Sequence, residues 1–306
     1  MPHTPKDIPA SVRQRLLNQV PGTGRSFNEL LQHFAIERFL YRLSCSQHSD
    51  RFVLKGALML TVWQETPSRS TMDIDLLGRA DNDIATIAAM FRDTCIQEVE
   101  PDGMDYDADS IEGTAINEEA EYPGVRIKLR AHLGTARVAL RLDVGFGDPV
   151  FPAPEVMEYP TILDLPAPRL RVYSRESAIA EKFEAMVRRG TVNSRLKDFF
   201  DVWTLSRQFD FEGAGLAAAI RRTFASRGTT VPSQPVALTR AFAEDPAKTA
   251  QWRGFLRKAR LQSIPETFPE VVEDLARFLS PVADHIATER PFEGVWKAPG
   301  PWGQQP

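Results

Sequence analysis

Cysteine is nearly missing from this 306-residue chain: Cys45 and Cys95 are its two, and neither sits in a CxxC pair. A disulfide framework is excluded, and a reducing compartment is expected. Long apolar runs are missing as well. No stretch approaches the roughly 18 consecutive apolar residues that span a bilayer. The opening Met1-Pro2-His3-Thr4-Pro5 lacks the charged-then-apolar order of a secretory signal. Secreted and membrane classes fall away, leaving a cytoplasmic protein with no membrane partner. Histidine is sparse, and His3, His33, His48, His132 and His285 show no metal-ligand spacing. There is no GxSxG elbow and no plausible Cys–His pair. Pro21-Gly22-Thr23-Gly24-Arg25-Ser26 superficially resembles a phosphate loop but lacks the GxxxxGK[ST] spacing and a preceding buried strand, so it reads as a turn. No internal repeat is visible.

What is present is an ordinary globular balance, 42% hydrophobic and 25% charged, long enough for one large domain or two of about 150 residues. The net charge of −4 is unevenly spread. Residues 81–121 carry thirteen acids and one base, a net of −12, whereas residues 221–262 carry nine bases and two acids, a net of +7. Such a chain can turn a positive face to a polyanion, or can simply carry solvated helix faces.

Ser26 with Glu29 forms a capping-box pattern that opens a helix through about Ser44. Phe52 to Trp63 reads as a second apolar helix. Met72 to Leu77 alternates acid with aliphatic and reads as a strand ending at Gly78. Asn82 is placed to cap a helix to about Cys95. Two alternating runs follow, with Val125, Ile127 and Leu129, then Val138, Leu140, Leu142 and Val144, each on one face, joined by a hairpin at Gly134-Thr135. A Pro-rich connection over 149–168 marks the domain boundary, dividing residues 1–165 from 166–306. Beyond it come helices at Ser174–Arg189, stopped by Gly190, and at Ser194–Gln208, then further helices to about Ala287 and an extended tail from Arg290. The class is α+β with a mixed sheet followed by a helical C-terminal domain.

The chemistry-bearing residues begin with Thr71-Met72-Asp73-Ile74-Asp75-Leu76. On a strand, Asp73 and Asp75 project to one side while Ile74 and Leu76 pack inward. Paired carboxylates suit Mg²⁺ bound with substrate phosphates; the alternative is an acidic surface strand bridged to arginines such as Arg69. Asp143 is a third carboxylate, on the last strand, and completes a ligand set for phosphoryl transfer or pairs with Arg126, Arg130 or Arg141. Lys55-Gly56-Ala57 reads as the start of a helix, where free backbone amides favour phosphate. Lys182 lies at the edge of a buried stripe formed by Ile179, Phe183, Met186 and Val187. Asp198 and Asp201 are one helical turn apart, with Asp198 read as functional and Asp201 as supporting. Trp252 to Arg260 reads as an amphipathic helix whose Arg253, Arg257 and Lys258 can hold an RNA backbone.

Four motifs in order, Phe52-Val53-Leu54-Lys55-Gly56-Ala57-Leu58, Arg69-Ser70-Thr71-Met72-Asp73-Ile74-Asp75, Ala180-Glu181-Lys182-Phe183 and Arg195-Leu196-Lys197-Asp198-Phe199-Phe200-Asp201, resemble the AbiEii-type nucleotidyltransferase toxins of toxin–antitoxin systems, a group that includes the mycobacterial MenT enzymes. The resemblance implies a polymerase-β-like nucleotidyltransferase core, with the helical C-terminal domain completing the active site. It further implies transfer of a nucleotide from an NTP, with Mg²⁺ or Mn²⁺, to an acceptor such as the tRNA 3′ end, blocking translation. A winged-helix antitoxin encoded nearby is the implied partner, and a monomer is expected. By position, Gly56 is the first motif's glycine, Asp73 and Asp75 are the metal carboxylates, and Lys182 and Asp198 are the remaining catalytic residues. Asp143 on the neighbouring strand is expected to complete the metal and catalytic set, and Lys55, Gly56, Arg69, Thr71 and Lys182 are expected to bind nucleotide. One departure is that Ala57 stands where many nucleotidyltransferases carry a Ser or Thr hydroxyl for phosphate. A phosphotransferase using the same site, or a non-catalytic nucleotide-binding protein, are the other readings.

Overall fold

A computed structural model describes residues 7–63, 71–116, 124–259 and 265–304. The described residues divide into two compact units, one drawn from 1–67, 71–147 and 155–172, the other from 148–154 and 173–306.

The first unit opens with α1 (Ile8–Thr23), whose N-terminus is capped by the Asp7 carboxylate accepting from the Ala10 N–H at 3.0 Å. Gly24 ends it in the left-handed region, at φ 64°. The PGTGRS segment is therefore a helix end and turn, as its spacing implied. At α2 (Phe27–Cys45) the expected capping box is present: Glu29 N–H donates to Ser26 Oγ at 3.3 Å, and Ser26 N–H donates to Glu29 Oε2 at 2.8 Å. The stretch expected as one helix from Phe52 to Trp63 is instead a strand, β1 (Phe52–Lys55), and a short helix, α3 (Leu58–Trp63). Gly56 separates them at φ 73°, a conformation no helix interior accepts. A fully buried strand and a buried helix give the same unbroken apolar run, so periodicity cannot separate them.

β2 (Asp73–Gly78) is the strand that its alternation implies. α4 (Ile84–Cys95) is capped by Asp83, which accepts from the Thr86 N–H at 2.7 Å, rather than by Asn82. Inside the acidic block lies an unanticipated strand, β3 (Met104–Ile116), followed by the expected hairpin of β4 (Gly124–Leu133) and β5 (Ala136–Phe146). The Pro-rich stretch contains β6 (Glu155–Glu158) and leads into β7 (Arg169–Val172). The seven strands form one mixed sheet in the order β3-β4-β5-β2-β1-β7-β6, with β2–β5 and β1–β7 parallel.

One face of that sheet is apolar. Ile74, Leu76, Ile127, Leu129, Leu140, Leu142 and Val144 are all buried, and α2 and α4 pack on the sheet. The Phe91 ring stacks on Phe52 at 5.0 Å and meets Phe39 at 5.9 Å.

The second unit begins with α5 (Arg175–Arg189), capped by Ser174 and stopped at Gly190, then α6 (Leu196–Gln208), the two-residue β8 (Phe211–Glu212) and α7 (Gly213–Ser226). It continues through α8 (Arg240–Ala243), α9 (Pro246–Ala259) and α10 (Phe268–Ala287) to β9 (Val295–Trp296) and β10 (Trp302–Gly303). The tail read as extended folds into a three-stranded sheet, β10-β9-β8. Its two tryptophans pack on Phe278 at 4.8 and 5.6 Å, and their indole N–H groups donate to Ser206 O and Phe278 O. The α+β class, the mixed sheet and the helical C-terminal part are thus all present. No helix among the described residues is long and apolar enough to cross a membrane.

α2 also carries charge into the first unit's core. Glu37 is fully buried, accepts from the Ile162 N–H at 2.7 Å and faces Arg38, whose guanidinium donates to Pro166 O at 2.6 Å. Together these contacts hold the Pro-rich segment onto α2. Burial pushes the Glu37 carboxyl from its ordinary 4.5 up to about 7, because desolvation disfavours its charged form. As pH rises from about 4.5 to 7, the unfolded chain releases this proton before the folded one, so stability falls across that window and levels off above it. The fall is on the order of 3 kcal/mol. Glu37→Gln, which keeps the acceptor for Ile162, should remove this component. It is measured as the difference between wild-type and variant urea midpoints from pH 4 to pH 8; a difference that does not vary with pH would contradict it.

Candidate active site

The parallel pairing of β2 with β5 builds the centre of the site. Asp73 lies opposite Arg141, Ile74 opposite Leu142, and Asp75 opposite Asp143. Paired residues share a face, so Ile74 and Leu142 go to the core while Asp73, Asp75, Arg141 and Asp143 share the polar face. The antiparallel neighbours extend two rows across it. One runs Arg126, Asp143, Asp75, Lys55; the other runs Glu112, Lys128, Arg141, Asp73. Four carboxylates and four bases thus stand within one lattice of about 4.8 Å strand spacing.

Each acid has a basic neighbour. Arg141 donates to Asp73 Oδ2, and that bond holds the Arg141 pKa above its ordinary value. Arg126 grips Asp143 with two bonds of 2.8 Å, Nε to Oδ1 and Nη2 to Oδ2. Arg126 was foreseen as a partner for Asp143; Arg141 is a partner of Asp73, and Arg69, the arginine named for the acidic strand, lies outside the described residues. Lys55 ends β1 in register with Asp75. Gly56 follows with positive φ, and a Cβ there would fall 2.1 Å from Asp75 Oδ2, so only glycine lets the β1–α3 turn pass beneath that carboxylate. Lys55 sits at the end of a strand, not in a helix start as expected. Ala57 is buried, and Thr71 is half-buried just ahead of β2.

Do these residues suit a divalent cation? Mg²⁺ takes hard oxygens and is commonly held by one or two carboxylates plus water and substrate phosphates. Asp73 and Asp75 supply that donor set, and the missing Cβ at Gly56 leaves Asp75 room. Among the described residues no group of three or more His, Cys, Asp or Glu is placed to hold a metal by itself. Asp143 belongs to the register, but both its oxygens are engaged by Arg126.

The second unit holds the other cluster. Lys182, on α5, donates from Nζ to Asp201 Oδ2 at 2.7 Å and to Asp198 Oδ1 at 3.2 Å, both on α6. Arg195 Nε stands 3.1 Å from Asp198 Oδ2. Asp201, read as supporting, is the closer partner of Lys182 and is fully buried. A network that sequence reasoning missed fixes α5 further. Arg227 reaches Glu184 at 2.9 Å, Asp148 at 3.0 Å and Glu181 at 3.3 Å, and Tyr173 O–H donates to Glu181 at 2.7 Å. Its members are far apart in the chain, so no local spacing reveals it. On α9, Trp252 is buried while Arg253, Arg257 and Lys258 are exposed, as the amphipathic pattern implied.

A family model described as nucleotidyl transferase AbiEii toxin, type IV TA system, matches residues 38–274. Among solved structures, the chain is similar to JHP933 from Helicobacter pylori, at 15% identity and a TM-score of 0.48 over 86% of this chain and 94% of that one. It is also similar to a candidate nucleotidyltransferase from H. pylori, at 16% identity and a TM-score of 0.46 over 87% and 97%. No curated protein is significantly similar to the chain.

Lys182 is the shared counterion of two buried acids, which gives it a structural role beside any chemical one. Removing one partner of a buried pair leaves uncompensated charge, at a cost of about 3–5 kcal/mol; Arg195 still answers Asp198, so about 3 is expected. Lys182→Ala should lower the unfolding free energy by that amount, and adding Asp201→Asn should restore most of it. Urea unfolding of the three proteins checks this, and a single variant as stable as wild type would contradict it.

Proposed function

The chain belongs to the AbiEii nucleotidyl transferase toxin family, and we propose that it moves a nucleotide from an NTP to an RNA acceptor, the tRNA 3′ end, and so blocks translation. The observation that carries this reading is the alternation of Asp73 and Asp75 on the polar face of β2 with Asp143 in register beside them.

In this reading Asp73 and Asp75 hold Mg²⁺ or Mn²⁺. Held there, the ion would supply charge neutralisation and Lewis-acid polarisation to the nucleotide phosphates. Lys55 and the Gly56 turn bind the nucleotide phosphates, together with Thr71 and Arg69. Lys182 supplies a compact ammonium against triphosphate charge, and Asp198 and Asp201 fix its position. Arg126 leaves Asp143 for a phosphate, and Asp143 joins the acid set and accepts the proton of the attacking hydroxyl. A new bond forms from that oxygen to the α-phosphorus, and pyrophosphate leaves. Catalysis is then mostly positioning and electrostatics.

The exposed Arg253, Arg257 and Lys258 on α9 carry the RNA backbone, a contact made by phosphate charge. The family is one of toxin–antitoxin systems, which implies an antitoxin partner; a winged-helix protein encoded nearby is the form proposed. The protein acts in the cytoplasm as a monomer.

Products identify the reaction. With purified protein, total RNA and each NTP labelled in turn, the α-label should appear on RNA and the γ-label should not. Asp73→Asn should cut incorporation at least about a hundredfold, the scale of losing one element of transition-state charge stabilisation. Its stability should stay within about 1 kcal/mol of wild type, since Asp73 loses only a half-exposed ion pair. Label from the γ-phosphate would mean a kinase, and no label at all would mean a binding protein.

A further inference from the structure

The polar face does not end at the carboxylates. Past Asp73 and Arg141 it continues over β5 and β4 to β3, where the register breaks. Asp107 pairs with Arg130 and Glu112 with Lys128, so residues 108–111 stand against Leu129 alone. This bulge is held in shape. Ser110 N–H donates to Asp107 Oδ1 at 3.1 Å, its hydroxyl donates to Asp107 O at 2.6 Å, and Arg130 N–H donates to Ser110 Oγ at 2.8 Å. Bulges of this kind re-aim side chains beside functional sites. Here the turned-out strand and the small Ala139 leave a recess of about 390 Å³, lined by Ser110, Glu112, Lys128, Arg130, Ala139 and Arg141 among others.

Its chemistry is mixed. Neither Lys128 nor Glu112 has an ion pair among the described residues, although they face each other in register. Arg130 is exposed and holds Asp107 at 3.1 Å. Arg141 belongs both to the recess and to Asp73. An NTP triphosphate, with its high negative charge, would be repelled by Glu112 and the nearby acids. A phosphodiester carries one charge, which Lys128 and Arg141 can take, and brings hydroxyl and amino groups that Glu112 and Ser110 can bind.

We propose that this recess is the acceptor subsite, taking the 3′-terminal nucleotide unit of an RNA strand. Lys128 and Arg141 bind its phosphodiester, and Glu112 and Ser110 bind its sugar and base. Engaging Arg141 draws that guanidinium from Asp73, so docking the acceptor uncovers a carboxylate for the cation. What the bound strand is used for rests on the transferase reading; the binding itself does not.

The test is fluorescence anisotropy of a fluorescein-labelled single-stranded hexaribonucleotide, without NTP or divalent cation. Lys128 and Ala139 are exposed, so Lys128→Ala and Ala139→Phe should keep the wild-type unfolding midpoint. Lys128→Ala should weaken binding about tenfold, the scale of one charge-assisted hydrogen bond, and lower the log–log salt slope by about 0.7. Ala139→Phe, which fills the recess, should weaken binding at least as much. Folded variants that bind the hexamer like wild type overturn the subsite. Transfer of α-label to total RNA by the wild type is read separately. Transfer with RNA binding indifferent to both substitutions removes the subsite and keeps the transferase. No transfer, with binding that still depends on Lys128 and Ala139, keeps the subsite and removes the transferase.

Discussion

Six residue pairs, where β2 runs parallel to β5 from Asp73 and Arg141 to Gly78 and Phe146, hold the candidate site together. That register sends Ile74, Leu76, Leu142 and Val144 into the core and leaves Asp73, Asp75 and Asp143 on the other face. Side chains on a strand alternate with a period of two, so a slip by one residue would bury the acids and expose the aliphatics. Burying an unpaired carboxylate costs several kcal/mol. The hydrophobic pattern therefore enforces the acidic face, and the Gly56 turn fits beneath Asp75 only because that face is fixed.

The two charge clusters differ in how firmly they are held. The Arg141–Asp73 pair is 43% and 34% exposed at its side chains, and such pairs contribute about 0–1 kcal/mol. A phosphate or a cation can exchange with them at little cost. Lys182 and Asp201 are 17% and 0% exposed, and breaking that pair is expensive. The acids and bases on the sheet are thus exchangeable, whereas the ammonium on α5 is held in place by its buried partners.

Much of this was readable wherever the signal is local. The Ser26–Glu29 box, the acid–aliphatic alternation of 72–77, the hairpin at Gly134-Thr135, and the Ser174 start and Gly190 stop of α5 each depend on residues a few positions apart. The sequence reading also put Asp73 and Asp75 on one face and Asp143 on a strand beside them. What it lacked was register. That Arg141 answers Asp73, or that Asp201 rather than Asp198 lies nearest Lys182, follows from pairings across tens of residues that no local pattern encodes. β3 was hidden because its polar residues read as part of an acidic block, and the bulge at Asp107–Glu112 breaks its alternation. The tail from Arg290 looked extended because its Pro and Gly residues mask two tryptophans that anchor it to α10. Phe52–Trp63 looked helical because a strand buried on both sides has no period of its own.

The account stands most directly on where a divalent ion and a nucleotide sit. Crystals grown with Mn²⁺ and a non-hydrolysable NTP, measured at a wavelength where manganese scatters anomalously, locate the ion without ambiguity. The account expects a peak between the Asp73 and Asp75 carboxylates, with phosphate oxygens completing its shell. Nucleotide bound elsewhere, with no manganese at those two residues, would contradict it.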